Sequence, residues 1–258
     1  MTTIAVLGLG EAGRLFARGF ARAGARVRGY DPHVSVSEEL VDQHDSLTNA
    51  IENADVIVSL VGPVAAQSVA RKCAQIMNRG CVYADLNTLT PNAKRELDLC
   101  FDETLAVADV AVMAPVPRHG SRTPLLASGR GAGEFAARVS PLGTPVTVVS
   151  PNLGDAASRK LLRSAFMKGL AALIIESLQA ANAADAETEI RAQIVAELGE
   201  SSEALIERLV YGSHQHAERR VHEMEAVGEY LSELGVQHPV TDASLQWFRH
   251  LSGQLHGS

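Results

Sequence analysis

Six residues near the amino terminus, Gly8-Leu9-Gly10-Glu11-Ala12-Gly13, restrict the fold more than any other part of the chain. They follow an apolar run, Ile4 to Leu7, and precede a helical pattern, Arg14 to Ala23. A GxGxxG spacing between a strand and a helix has a mechanical reading. Gly8 permits a tight turn, Gly10 lets a backbone come close to a pyrophosphate, and Gly13 lets the helix pack on the strand. The helix then turns its unsatisfied N–H groups and positive dipole end toward an anion. Leu9, Glu11 and Ala12 complete this loop, so residues 8–13 are read together as cofactor-binding.

The rest of the amino-terminal part agrees with that start. Short β-branched runs at Arg26–Tyr30, Val56–Val61, Cys81–Asp85, Ala106–Ala111 and Val146–Val149 alternate with helical patterns near 12–23, 65–77, 91–100 and 131–139. Strands alternating with helices predict a parallel sheet covered on both faces. Thr90 and Pro91 supply a helix start. After Pro151-Asn152-Leu153-Gly154 the pattern is helical throughout, with Ser158–Ala181 as one long segment. Further helices are expected near 183–199, 201–211, 214–234 and 241–252, with breaks at Gly199, Gly212, and Gly235 with Pro239. The fold class is therefore α/β: a Rossmann doubly wound parallel sheet (1–152, NAD(P)-binding) followed by an all-helical domain (153–258), to which the resemblance given below assigns substrate binding and dimerisation.

Composition excludes several other functions. The net charge of -7 opposes bulk binding to nucleic acid or an anionic membrane. Aromatics at 4% leave little for base stacking. Cys73, Cys81 and Cys100 form no CxxC pair, so neither a disulfide framework nor a zinc site is expected. His214 and His216 lie two apart on a helix and point away from each other, so no metal site is expected there. The amino terminus reads as a first strand, without a basic signal-peptide region, and no apolar run is long enough to span a membrane. The expected location is cytoplasmic.

Ligands of doubly wound sheets lie beyond the carboxyl ends of the strands. Asp31 ends the second strand 18 residues after Gly13, where an acid takes the adenosine ribose hydroxyls. It favours NAD over NADP and leaves NADP open. Other strand ends offer Val61 and Gly62, then Asn87 and Thr88, to the cofactor. Met113-Ala114-Pro115, Arg118 and His119 follow at the next end. The segment from Ser158 is apolar on almost every side, which predicts a buried helix. It nevertheless carries Arg159, Lys160, Arg163 and Lys168, with no acid between Asp155 and Glu176. Buried charges must be paired, so an anion from a substrate or another segment is expected to face them. Lys160, Ser164 and Lys168 share one side at i, i+4 and i+8. Arg219 and Arg220 add two donor forks suited to a carboxylate or phosphate.

These segments together resemble the β-hydroxyacid dehydrogenase / 6-phosphogluconate dehydrogenase-like superfamily, in its shorter members with a helical carboxyl-terminal module. The resemblance rests on residues 8–13, Asp85-Leu86-Asn87-Thr88, Asp109 to Pro117, Thr123 to Gly129, Gly154 to Lys160, and Glu223-Met224-Glu225. It implies Lys160 as general acid/base and a nicotinamide approaching Asn87-Thr88. It also implies a substrate carboxylate near Met113-Ala114-Pro115, and homodimers formed through the helical domains. Two features depart from the pattern. Met113-Ala114-Pro115 replaces a Ser-Gly-Gly turn, and Ser164 replaces an asparagine.

The expected activity is hydride transfer between NAD(P) and a small, anionic hydroxyacid or its carbonyl partner. Lys160 and Ser164 are the catalytic candidates. Burial, a cationic nicotinamide and the neighbouring cations are expected to lower the Lys160 pKa. Lys168, Arg118, His119, Arg219 and Arg220 stand as substrate contacts. An NAD(P)H-dependent imine reductase and a cofactor-binding sensor without catalysis are the alternatives.

Overall fold

Alternation along the strands decides where the core lies. The computed structural model describes residues 1–36, 40–199 and 202–255. Its strands are β1 (Thr3–Leu7), β2 (Arg26–Tyr30), β3 (Val41–Gln43), β4 (Val56–Ser59), β5 (Val82–Asp85), β6 (Ala106–Val112), β7 (Leu125–Ser128) and β8 (Val146–Ser150). They form one sheet in the order β3-β2-β1-β4-β5-β6-β7-β8. Successive residues point to opposite faces. Ile4, Val6, Val56, Val58, Val82 and Ala84 therefore enter one apolar cluster. Ala5, Leu7, Ile57 and Tyr83 enter the other. Both faces of the sheet are thus buried, as a doubly wound architecture requires.

Six helices accompany the strands before the long one: α1 (Glu11–Arg22), α2 (Leu47–Ile51), α3 (Pro63–Ile76), α4 (Pro91–Asp98), α5 (Val116–His119) and α6 (Ala132–Val139). α4 starts as expected, with the Thr90 hydroxyl accepting from Ala93 N at 3.2 Å and Pro91 in the first turn. The expected all-parallel sheet is corrected at one end. β7 is antiparallel to β6, and β8 runs with β7. Neither β3 nor β7 was expected as a strand. β3 is only three residues long, and β7 (Leu-Leu-Ala-Ser) has no β-branched or aromatic residue to mark it.

The chain divides into two compact units, Met1–Lys160 and Leu161–Ser258. The helix α7 (Asp155–Ala183) begins in the first, and its remainder belongs to the second with α8 (Glu187–Leu198), α9 (Glu203–Gln215), α10 (Ala217–Glu233) and α11 (Pro239–Leu255). The second unit has its own core of Ile174, Ile175, Ile206, Met224 and Phe248, among others. Two expectations fail here. Gly212 does not break α9. Its missing side chain leaves room for Arg220, whose Nε donates to the Gly212 carbonyl at 3.3 Å. Nor is α7 buried on every side, because Phe166 and Leu173 are 67% and 62% exposed.

Candidate active site

The glycine turn is held by β2. Gly8 N donates to Tyr30 O at 2.9 Å, and Leu9 N to Asp31 Oδ2 at 2.7 Å. The other carboxylate oxygen of Asp31 accepts from His33 N and Val34 N at 2.8 and 3.1 Å. Asp31 therefore braces the turn, and the lone pairs left over are what it can offer a ribose. The three glycines have different reasons to be glycine. Gly8 has φ +88°, and a Cβ there would lie 2.4 Å from Leu60 O. A Cβ at Gly13 would lie 1.9 Å from Gly8 O. At Gly10 nothing lies within 4 Å of such a Cβ.

α1 has Gly10 at its N-cap and no side-chain cap. Its first N–H groups are thus left to solvent or a ligand. An open Gly10 beside an uncapped helix start fits a dinucleotide pyrophosphate. Val61 and Gly62 follow β4 on the same edge, and Gly62 N donates to Asn87 Oδ1 at 2.8 Å.

Beneath this edge lies a row of polar side chains. Ser59, Asp85, Asp109 and Ser128 are consecutive register partners across β4, β5, β6 and β7, and all four are buried. Lys94 of α4, itself 1% exposed, reaches into the row. Its Nζ donates to Asp85 Oδ2 and Asp85 O, both at 2.7 Å, and lies 3.1 Å from Asp109 Oδ1. Burial alone would push its pKa down. Asp85 and Asp109 outweigh that and hold it above the ordinary lysine value. Asp109 Oδ2 also accepts from Ala157 N at 2.9 Å, and Ser128 Oγ accepts from Ala156 N at 2.9 Å. The first turn of α7 is therefore anchored on the row, with a carboxylate at its positive end. At the other side, the Asn87 amide donates to Ser59 Oγ at 3.1 Å and to Asp85 Oδ1.

The next residue after Asn87 completes the arrangement. Lys160 Nζ donates to Thr88 Oγ1 at 3.1 Å. This pairs an amine with a hydroxyl beside the strand end expected to receive the nicotinamide.

The remaining candidates are more dispersed. Met113 N is engaged by Pro124 O at 3.0 Å, and Pro115 has no N–H, so Ala114 alone offers an N–H in that turn. Arg118 and His119 lie exposed at the end of α5. His119 lines a cleft of about 380 Å³ with Leu15, Arg18, Arg22 and Arg122 along the second half of α1. In the helical unit, Lys168 Nζ donates to Ser164 Oγ at 3.2 Å and pairs with Glu223 at 2.8 Å. The anion expected to face the α7 cations is, for Lys168, this carboxylate of α10. Burial pushes Lys168 down against the opposing pull of Glu223. Arg219 is exposed and 3.8 Å from Glu223, while Arg220 stacks over Phe248 at 5.6 Å. No group of His, Cys, Asp or Glu able to hold a metal occurs among the described residues.

Sequence reasoning missed Lys94 and Ser128. Asp85 and Asp109 carried the signal, because two acids inside parallel strands must meet a buried cation.

The fold and the glycine turn together define a dinucleotide-binding architecture. Residues 3–113 match the NAD binding domain of 6-phosphogluconate dehydrogenase, and residues 181–251 match a domain of unknown function, DUF1932. A conserved hypothetical protein from Sinorhizobium meliloti is 31% identical, with 96% of this chain and 88% of that one covered and a TM-score of 0.80. A conserved protein of unknown function with structural similarity to 3-hydroxyacid dehydrogenases is 28% identical over 99% of each chain, again with a TM-score of 0.80. The 3-hydroxyisobutyrate dehydrogenase of Mycobacterium tuberculosis, solved with L-serine, shares the fold at 16% identity, with a TM-score of 0.84 over 98% of this chain and 94% of that one. The chain thus carries an NAD binding domain of the 6-phosphogluconate dehydrogenase family followed by a DUF1932 domain.

Proposed function

We propose that the protein is an NAD-dependent dehydrogenase of a small β-hydroxyacid, with Lys160 as its general acid/base. The observation that carries this reading is the 3.1 Å contact between Lys160 Nζ and Thr88 Oγ1. Residues 8–13, Asp31, Val61, Gly62, Asn87 and Thr88 hold the cofactor, which supplies the hydride acceptor when bound. Neutral Lys160 takes the substrate hydroxyl proton onto Nζ in oxidation and returns it in reduction. Thr88 orients the hydroxyl. The Ala114 N–H meets the substrate carboxylate. Asp31 favours NAD, since its charge repels a 2′-phosphate. In this reading residues 1–152 hold the cofactor and lend Thr88 and Ala114 to the substrate, and 153–258 supply Lys160. The exposed Phe166 and Leu173 of α7 are covered by a second subunit.

The experiment is a spectrophotometric panel of short β-hydroxyacids with NAD and NADP, run beside cyclic imines with the reduced cofactors. Hydroxyacid turnover is expected, with NAD preferred. Lys160→Ala should lower it by roughly 10²–10⁴-fold while cofactor affinity stays near wild type. Turnover of imines alone, tight cofactor binding without any turnover, or an active Lys160→Ala enzyme would each overturn the proposal.

A further inference from the structure

The proposed chemistry needs Thr88 and Lys160 held at a fixed separation, yet they lie 72 residues apart in sequence. Both sides lead back to one buried ammonium. Thr88 follows Asn87, whose amide is held by Asp85 and Ser59. Lys160 lies one turn beyond Ala156 and Ala157, whose N–H groups end on Ser128 and Asp109. Asp85 and Asp109 are joined through Lys94. We propose that Lys94 is a positioning residue for the Lys160–Thr88 pair, fixing through Asp85 and Asp109 both the strand end that carries Thr88 and the helix turn that carries Lys160.

Stability alone does not require an ion cluster here. Apolar residues of similar volume serve a buried position as well or better. What three charges and two hydroxyls provide is direction. Hydrogen bonds fix the α7 start and the Asn87 amide in one register, which a greasy contact would let slide. The Ser59-Asp85-Asp109-Ser128 row supplies that register across four neighbouring strands.

This inference rests on the role proposed for Lys160, and its test has an arm that does not need turnover. The chain has four lysines, Lys72, Lys94, Lys160 and Lys168, so the full-length protein labelled with carbon-13 at lysine Cε gives a simple spectrum. The Lys160 signal is assigned with Lys160→Arg and titrated in the wild type, in Lys94→Met and in Ser128→Ala. Both variants, folded by circular dichroism and still binding NAD, should show a shifted Lys160 titration midpoint. Turnover should fall on the order of 100-fold through kcat, with KM little changed. A folded Lys94→Met protein with a wild-type Lys160 curve overturns the proposal, even if it melts earlier, because the cluster is then only structural. Should Lys94→Met fail to fold, Lys94→Arg, which keeps the charge but alters its reach to Asp85 and Asp109, decides by the same criterion. Absence of wild-type turnover across the panel would remove the proposed activity, while the midpoint would still decide the positioning role.

Discussion

Three glycines in one turn answer to three different constraints, and substitution separates them. Gly13→Ala drives a Cβ into Gly8 O, and Gly8→Ala combines a positive φ with a clash against Leu60. Each should cost more than about 1 kcal/mol of stability in denaturant unfolding. Gly10→Ala has open space, so its stability should stay within about 0.5 kcal/mol of wild type. Its NAD affinity should nevertheless collapse in a fluorescence titration, because the space is needed by the pyrophosphate. Unchanged affinity in Gly10→Ala would remove the ligand reading of the turn. Thiols make a second comparison. Burial pushes Cys73 and Cys81 up to about 12, whereas Cys100 is partly exposed. An aromatic disulfide reagent should find only Cys100 in the native protein and all three thiols after denaturation. Sequence alone showed no ligand spacing around the cysteines and so predicted neither a disulfide framework nor a zinc site. It could not rank them, since burial depends on the sheet faces.

Among the elements, the glycine turn and the β-branched strands were legible because their periodicity and turn chemistry are local. β7 was hidden because Leu-Leu-Ala-Ser becomes a strand only through its partners β6 and β8. Lys94 was hidden for the same reason. On α4 it reads as an ordinary surface lysine until the helix is laid over Asp85 and Asp109. The Lys168–Glu223 pair joins α7 to α10 and was anticipated only as a need for some anion. Burial alone would raise the Glu223 pKa, but Lys168, Arg219 and Arg220 hold it below the ordinary carboxylate range. A carboxylate depressed in the folded state contributes stability above its unfolded pKa and loses it as pH falls through the folded value. The contribution is therefore complete above 4.5, the ordinary value for a glutamate, and declines at more acid pH. Glu223→Gln should flatten the acid side of a stability–pH curve. An unchanged slope would mean that the pair contributes nothing.

Over the whole molecule, each of the two units has a core of its own, and the proposed cofactor contacts lie in Met1–Lys160. Calorimetry should therefore show NAD raising the transition of that unit. Saturation at 100 times Kd corresponds to about 2.7 kcal/mol, and an unaltered transition would count against cofactor binding. No described helix is long and apolar enough to cross a membrane.

The buried row also bears on how such a protein changes over generations. Removing the Lys94 ammonium alone strands two carboxylates and should cost about 3–5 kcal/mol, whereas exchanging the whole ionic set for oily residues together costs little. Among descendants Lys94, Asp85 and Asp109 should therefore be kept or discarded in unison.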